Sequence, residues 1–181
     1  AVVDRHEILR NIIDTDQSGE PRQWIKSREE IGFEILEEDY SAMDNAETLT
    51  QEYIKVDAQK GFDLTTGPLI RLALIKVAKE QTVLYYNLHH IISDAWSMKV
   101  VREDVMTFYN AYKDEVTPSL EALSIQYKDY SAWQLNQLVN GGFDEHRAYW
   151  TNKLKNANPF IELPSSKVRP PIQTFTGQRI G

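Results

Sequence analysis

Two runs dominate the hydrophobic pattern. Leu69-Ile70-Arg71-Leu72-Ala73-Leu74-Ile75-Lys76-Val77 is almost continuously aliphatic, and Thr82-Val83-Leu84-Tyr85-Tyr86-Asn87-Leu88 is rich in β-branched and aromatic residues, the composition that suits a pleated surface. Lys79-Glu80-Gln81 separates them, so the pattern predicts an antiparallel hairpin. Shorter strands are predicted at Gln23-Trp24-Ile25-Lys26, after the turn Ser18-Gly19-Glu20-Pro21, and at 33–38. Helical spacing runs through 45–60, where Ala46, Leu49, Tyr53, Val56 and Lys60 recur every three to four residues, with Asn45 as the expected N-cap and Gly61 as the expected stop. A second helix is predicted over 97–113, its broad apolar face made of Val100, Val101, Val105, Phe108, Tyr109 and Tyr112.

Pro118 to Gln126 reads as a loop. Helices are predicted over 127–139 and 144–156, separated by Asn140-Gly141-Gly142, with Trp133 and Trp150 as buried anchors. Pro159, Pro164, Pro170 and Pro171 exclude helix beyond Asn158, so that stretch is expected to run extended over the surface. Residues 1–13 read as a helix already in progress, with no capping residue in front, and residues from Thr174 on as a strand just starting. Both ends therefore read as cut from something larger. The elements sum to an α/β (α+β) fold in which helices pack on a mixed, largely antiparallel sheet.

A chain of 181 residues is long enough to bury a sizeable core in one domain. Twenty basic side chains against 27 acidic ones leave a net charge of −7, which argues against a nucleic-acid partner, whose phosphates need a basic face. The absence of cysteine excludes disulfides, thiolate metal sites and a cysteine nucleophile. No apolar run is long enough for a membrane span and the start lacks the features of a signal peptide, so the expected compartment is the cytoplasm.

Candidate chemistry concentrates where a strand gives way to a helix: His89-His90-Ile91-Ile92-Ser93-Asp94-Ala95-Trp96-Ser97. A neutral imidazole is the commonest general base near neutral pH, and Asp94 could orient it or fix the loop by pairing with a cation. Against this stands the ordinary reading, that a histidine is more often a satisfied structural group. Adjacent strand residues also face opposite ways, so at most one of the two rings can face a given cleft. His89, His90 and Asp94 lack a third well-spaced ligand, so no metal site is expected. Glu37-Glu38-Asp39 reads as a solvated acidic face and His146 as solvent-exposed.

Five segments in order resemble the condensation domains of nonribosomal peptide synthetases. They are Arg5-His6-Glu7-Ile8-Leu9-Arg10; Phe62-Asp63-Leu64 with Gly67-Pro68-Leu69 and Arg71; the His89 to Ser97 run; Tyr149-Trp150-Thr151-Asn152-Lys153-Leu154; and Leu163-Pro164 with Arg169-Pro170 and 173–177. The resemblance implies one lobe of a two-lobed, chloramphenicol acetyltransferase-like fold, with residues 1–181 as a single N-terminal lobe truncated at both ends. It implies that His90 is the catalytic residue, facing a tunnel in which a carrier-bound acceptor amine attacks a carrier-bound donor thioester. His89, Asp94, Arg5, Ala95 and Trp96 are the implied site-supporting residues, with Asp94 paired to Arg5.

No cofactor is expected to bind directly, because the substrates ride on the phosphopantetheine arms of donor and acceptor peptidyl carrier domains. The other implied partners are an adjacent adenylation domain and the missing C-terminal lobe, without which the chain is expected to be inactive. The family usually has glycine where this chain has Ala95. A methyl group there would cost about 1 kcal/mol if the backbone needed a positive φ, and would narrow the tunnel if it pointed inward. Epimerisation domains share the paired histidines but resemble a Ser-Trp order after them, so Trp96-Ser97 favours condensation. The filling Ile91-Ile92-Ser93 resembles domains that take an L-configured donor. Two other readings stay open: another acyltransferase or epimerase of this fold, and a noncatalytic scaffold or binding domain.

Overall fold

The computed structural model describes residues 1–159 together with Pro164, Pro171 and Ile172. The chain divides into two compact units, Ala1–Leu135 and Asn136–Gly181.

In the first unit, β4 (Ile70–Ala78) and β5 (Gln81–Leu88) form the expected antiparallel hairpin, with Ile70 opposite Leu88 and Leu74 opposite Leu84. Strand β3 (Ile35–Asp39) lies parallel to β4 on its other side, Ile35 opposite Leu72, which completes a mixed sheet of order β3-β4-β5. The period of two in a strand divides the hairpin into two faces. Arg71, Ala73 and Ile75 share one face with Tyr85 and Asn87; Ile70, Leu72 and Leu74 share the other with Leu84, Tyr86 and Leu88. Helix α2 (Ala46–Ala58) packs against β4 and β5. Its inward stripe is Ala46, Thr50, Tyr53 and Asp57, with Ala73 and Ile75 fully buried in the sheet. On the opposite face, Ile70 joins Val3, Leu9, Leu69 and Ile92 in a core cluster bordered by Leu72, Leu88 and Val101. That cluster draws on α1 (Val2–Arg5) and α3 (Ala95–Lys113). Burial of such aliphatic groups contributes roughly 1.5–3 kcal/mol each.

The predicted helix over 1–13 is corrected. Helix α1 is a single turn, His6 is extended (φ −100°, ψ 97°), Glu7–Arg10 is a 3₁₀ turn, and β1 starts at Asn11. The β-branched pair Ile12-Ile13 favours strand geometry, and β1 (Asn11–Thr15) pairs antiparallel with β2 (Pro21–Ile25), Asn11 opposite Ile25. Val3 and Leu9 are both buried, but by two different elements, the first by α1 and the second by the 3₁₀ turn.

Helix α2 stops three residues before Gly61, and the Asn45 side chain makes no capping bond. Arg71 supplies the stop: its guanidinium donates to the carbonyls of Asp57, Lys60 and Gly61, the groups a helix end leaves without partners. Helix α3 begins two residues earlier than predicted, and its inward face is narrower, because Tyr109 and Tyr112 are exposed.

Helix α4 (Tyr127–Val139) ends in the second unit at Gly141 (φ +76°), where the Gly142 N–H donates to the Gln137 carbonyl at 2.8 Å. Only glycine enters this left-handed turn without strain. Helix α5 (Asp144–Leu154) follows. Trp133 and Trp150 are not buried anchors: they are 52% and 54% exposed, on helices that bury no residue. The strand expected from Thr174, and all of the proline-rich run except Pro159, Pro164 and Pro171, lie outside the described residues.

Candidate active site

Six residues, His89 to Asp94, join β5 to α3. The turn is anchored from below and at both ends. The His89 N–H donates to the Leu69 carbonyl at 3.0 Å, the Ile92 N–H donates to the His89 carbonyl at 3.1 Å, and the Ile92 side chain is buried in the core cluster. At the far end Asp94 is the N-cap of α3. Its carboxylate accepts from the Ser97 N–H at 2.7 Å and the Ser97 hydroxyl at 2.6 Å, satisfying a donor the helix itself cannot. The Ser97 hydroxyl and then its N–H hold the Asp94 carboxyl below the usual carboxylate range, with the Trp96 N–H and the nearby His90 adding to the effect against the opposing pull of desolvation.

The two histidines diverge as expected, although neither is in the strand. The partly buried His89 ring stands edge-on to Phe62, centroids 5.9 Å apart, and its Nδ1 accepts from the Ile91 N–H at 3.0 Å. An accepting Nδ1 carries no proton, so the His89 ring is neutral with its proton on Nε2. His90 is exposed. It opens on a surface groove lined also by Tyr86, Leu88, Ser93, Ala95 and Met98. Tyr86, Leu88 and Met98 also line a largely apolar cavity of about 110 Å³ between the sheet and α3. An imidazole at such a lip can exchange protons with a group in the groove while its turn is held by the core.

Ala95 is the first residue of α3. The only non-glycine residue with positive φ among those described is Glu115, so the alanine carries no backbone strain. Ala95 is among the residues that line the groove. Trp96 is 76% exposed, with the Lys99 ammonium 6.0 Å from its ring centre.

The expected Asp94–Arg5 pair is not formed. Arg5 Nε donates to Asp104 Oδ2 at 2.8 Å, and its guanidinium also reaches the Glu121 carbonyl. His6 Nε2 shares the same Asp104 oxygen at 2.7 Å, so that nitrogen carries the proton. Asp94 is taken by donors three residues away, whereas Asp104 lies ten residues on, about 15 Å down the helix, where α1 meets it. Arg5 and His6 thus fasten α1 to the middle of α3. His146 is exposed, its ring 6.1 Å from Phe143.

Sequence reasoning missed Asp104 and Asp57. Both left a signal, a carboxylate on an inward stripe: Val101-Asp104-Phe108-Ala111 in α3 and Thr50-Tyr53-Asp57 in α2. A buried carboxylate requires a partner. For Asp57 the partners are Arg71 Nε at 2.9 Å, the Tyr85 hydroxyl at 2.8 Å and the Asn87 amide at 3.1 Å.

A family model described as condensation domain matches residues 1–181. The chain belongs to the condensation-domain family. One of the linear gramicidin synthase subunits of Brevibacillus parabrevis is 36% identical over 178 residues, which are 97% of this chain but 2% of that protein. The starter condensation domain of rhizomide synthetase superposes with a TM-score of 0.79 at 24% identity, covering 87% of this chain and 37% of that one. An epimerization domain from tyrocidine synthetase superposes with a TM-score of 0.78, also at 24% identity, covering 93% and 37%. The expected chloramphenicol acetyltransferase-like, mixed α/β fold is therefore the observed one. Its backbone alone does not separate condensation from epimerisation. No helix among the described residues is long and apolar enough to cross a membrane.

Proposed function

We propose that this chain is the histidine-bearing N-terminal lobe of a condensation domain and takes part in amide-bond formation between carrier-bound thioesters. The observation that carries this reading is His90: an exposed imidazole at a strand end, on a core-anchored turn, in a chain that the family model matches from end to end. In the proposed step the acceptor amine attacks the donor thioester carbonyl and a C–N bond forms. His90 Nε2 or Nδ1 takes the amine proton. The C–S bond then breaks, and the pantetheine sulfur leaves with that proton as a thiol. General-base help of this kind is worth about 10²–10⁴-fold.

Asp94 supports the site by starting α3 directly behind the turn, and Arg5 by holding α1 on α3. His89 shapes the turn. Ala95 and Trp96 border the acceptor's approach. The partners are donor and acceptor carrier domains bearing phosphopantetheine, an adenylation domain, and a C-terminal lobe that closes the tunnel; the compartment is the cytoplasm. Without the second lobe the chain turns nothing over.

In a synthetase carrying this segment, His90→Ala is expected to slow amide formation by about 10²–10⁴-fold while leaving thermal stability unchanged, because the ring is exposed. An unchanged rate in single-turnover assays with loaded carriers would sink the assignment.

The equal likeness to an epimerization domain supports a second reading, in which His90 moves a Cα proton of one carrier-bound residue. Deuterium uptake at Cα without amide product would select it. The Trp96-Ser97 order favours condensation.

A further inference from the structure

Among the described residues, none makes a hydrogen bond to the His90 imidazole, so its place is set by the backbone of the turn that holds it. One side chain of that turn is fixed from outside. His89 Nδ1 takes the Ile91 N–H at 3.0 Å, and its ring meets Phe62 edge-on (5.9 Å, 84°). The Arg71 guanidinium lies 3.8 Å from the Phe62 ring centre. Arg71 in turn is locked at the end of α2. It pairs with Asp57 Oδ1 at 2.9 Å and donates to the Asp57, Lys60 and Gly61 carbonyls at 3.0–3.1 Å. A rigid series of contacts therefore runs from α2 through Arg71, Phe62 and His89 to the Ile91 amide, one residue beyond His90.

We propose that Arg71 is a positioning residue for His90, acting through Phe62 and His89 on the turn that presents the imidazole. This rests on the functional reading of His90 given above. The chemistry requires arginine. A planar guanidinium covers an aromatic face while its forked N–H groups reach several acceptors at once, and a lysine ammonium, a point charge on a flexible stem, does neither. The T-shaped contact with His89 requires an aromatic ring such as Phe62.

The test has a structural and a kinetic arm. In the 15N-labelled chain, the His89 ring should show a single Nε2–H tautomer and the Ile91 amide should be protected from exchange. Arg71→Lys retains the charge, and Phe62→Leu leaves the Arg71–Asp57 pair untouched. In either variant that stays folded, Ile91 exchange should rise roughly tenfold, the worth of one local hydrogen bond, and the His89 signals should report mixed tautomers. Unchanged Ile91 and His89 signals in Phe62→Leu would overturn the proposal even if Arg71→Lys does not fold. In an active synthetase, Arg71→Lys should lower kcat about tenfold with KM for the acceptor carrier unchanged, the mark of a displaced reacting group; a KM effect alone overturns it. The two readings fail separately. Unaltered turn signals with an inactive His90→Ala reject the Arg71 coupling, whereas full rate in His90→Ala rejects the role of His90.

Discussion

Asp57 and Asp104 are both buried aspartates paired with arginines, but they lie on opposite faces of the β3–β4–β5 sheet and are satisfied differently. Asp57 uses both oxygens, one for Arg71 and the other for the Tyr85 hydroxyl and the Asn87 amide. Asp104 directs one oxygen to both Arg5 and His6. The first cluster joins a helix end to two adjacent strands; the second joins a one-turn helix to the middle of a long one. The difference teaches where each cluster acts. The Asp57 cluster leads through Phe62 to the His89 turn, while the Asp104 cluster holds α3 about 15 Å from its capped end.

The largest expected effect tests that division. Asp57→Ala removes the acceptor of three donors at once, the Arg71 Nε, the Tyr85 hydroxyl and the Asn87 amide, although Arg71 keeps its three carbonyl bonds; breaking a buried pair costs about 3–5 kcal/mol. Asp104→Ala removes the acceptor of only two donors, Arg5 Nε and His6 Nε2, so a smaller cost of about 1–3 kcal/mol is expected. Urea unfolding measures both. Amide exchange at Ile91 sharpens the contrast: it should rise in Asp57→Ala and stay unchanged in Asp104→Ala. An Ile91 response to Asp104→Ala would erase the distinction between the clusters.

The pH dependence of the Asp57 cluster is a smaller effect with two limbs. Burial by itself would push the Asp57 carboxyl up, but Asn87, Tyr85 and Arg71 together outweigh it and hold the carboxyl below its ordinary 3.8. Its contribution is therefore present above pH 3.8 and lost as pH falls through the lower folded value. Tyr85 moves the other way: burial first, then its bond to Asp57 and the charge of that carboxylate, raise the phenol to about 12. Its contribution is complete below the ordinary value of 10 and lost as pH rises from 10 towards 12. Asp57→Asn should remove the acid limb of a plot of urea midpoint against pH and shrink the alkaline one, of which the part due to burial of Tyr85 remains. An alkaline limb that is unchanged in the variant would show that Tyr85 titrates independently of Asp57.

The two clusters also mark where the sequence was readable. The hairpin, α2, α3 and the strand-to-helix placement of His90 could be read directly, because each rests on local periodicity. The Arg5–Asp104 pair could not, since its members are 99 residues apart, and only the inward spacing of Asp104 hinted at a buried charge. Asp94 misled for the converse reason: a carboxylate just before a helix finds its donors locally, here the Ser97 N–H and hydroxyl, and stays ionised at the surface without needing a distant cation. Residues 1–13 misled because apolar residues scattered among charges do not show where one short element stops and the next begins: Val3 is buried from α1 and Leu9 from the 3₁₀ turn. Trp133 and Trp150 showed that aromatic size alone does not make an anchor.

The smallest expected effect concerns Ala95, where the chain departs from the glycine its family usually has. Ala95 opens α3 in ordinary helical backbone and lines the groove with His90, Ser93 and Met98. Glycine gains no conformational relief there and adds freedom to the unfolded chain, so Ala95→Gly should lower stability by no more than about 1 kcal/mol. Its kinetic effect depends on the methyl group alone. If the methyl narrows the approach to His90, glycine should lower KM for a bulky acceptor and leave a glycyl acceptor unchanged; a gain that is equal for both would place the effect in the helix start that Asp94 caps, and not in the groove.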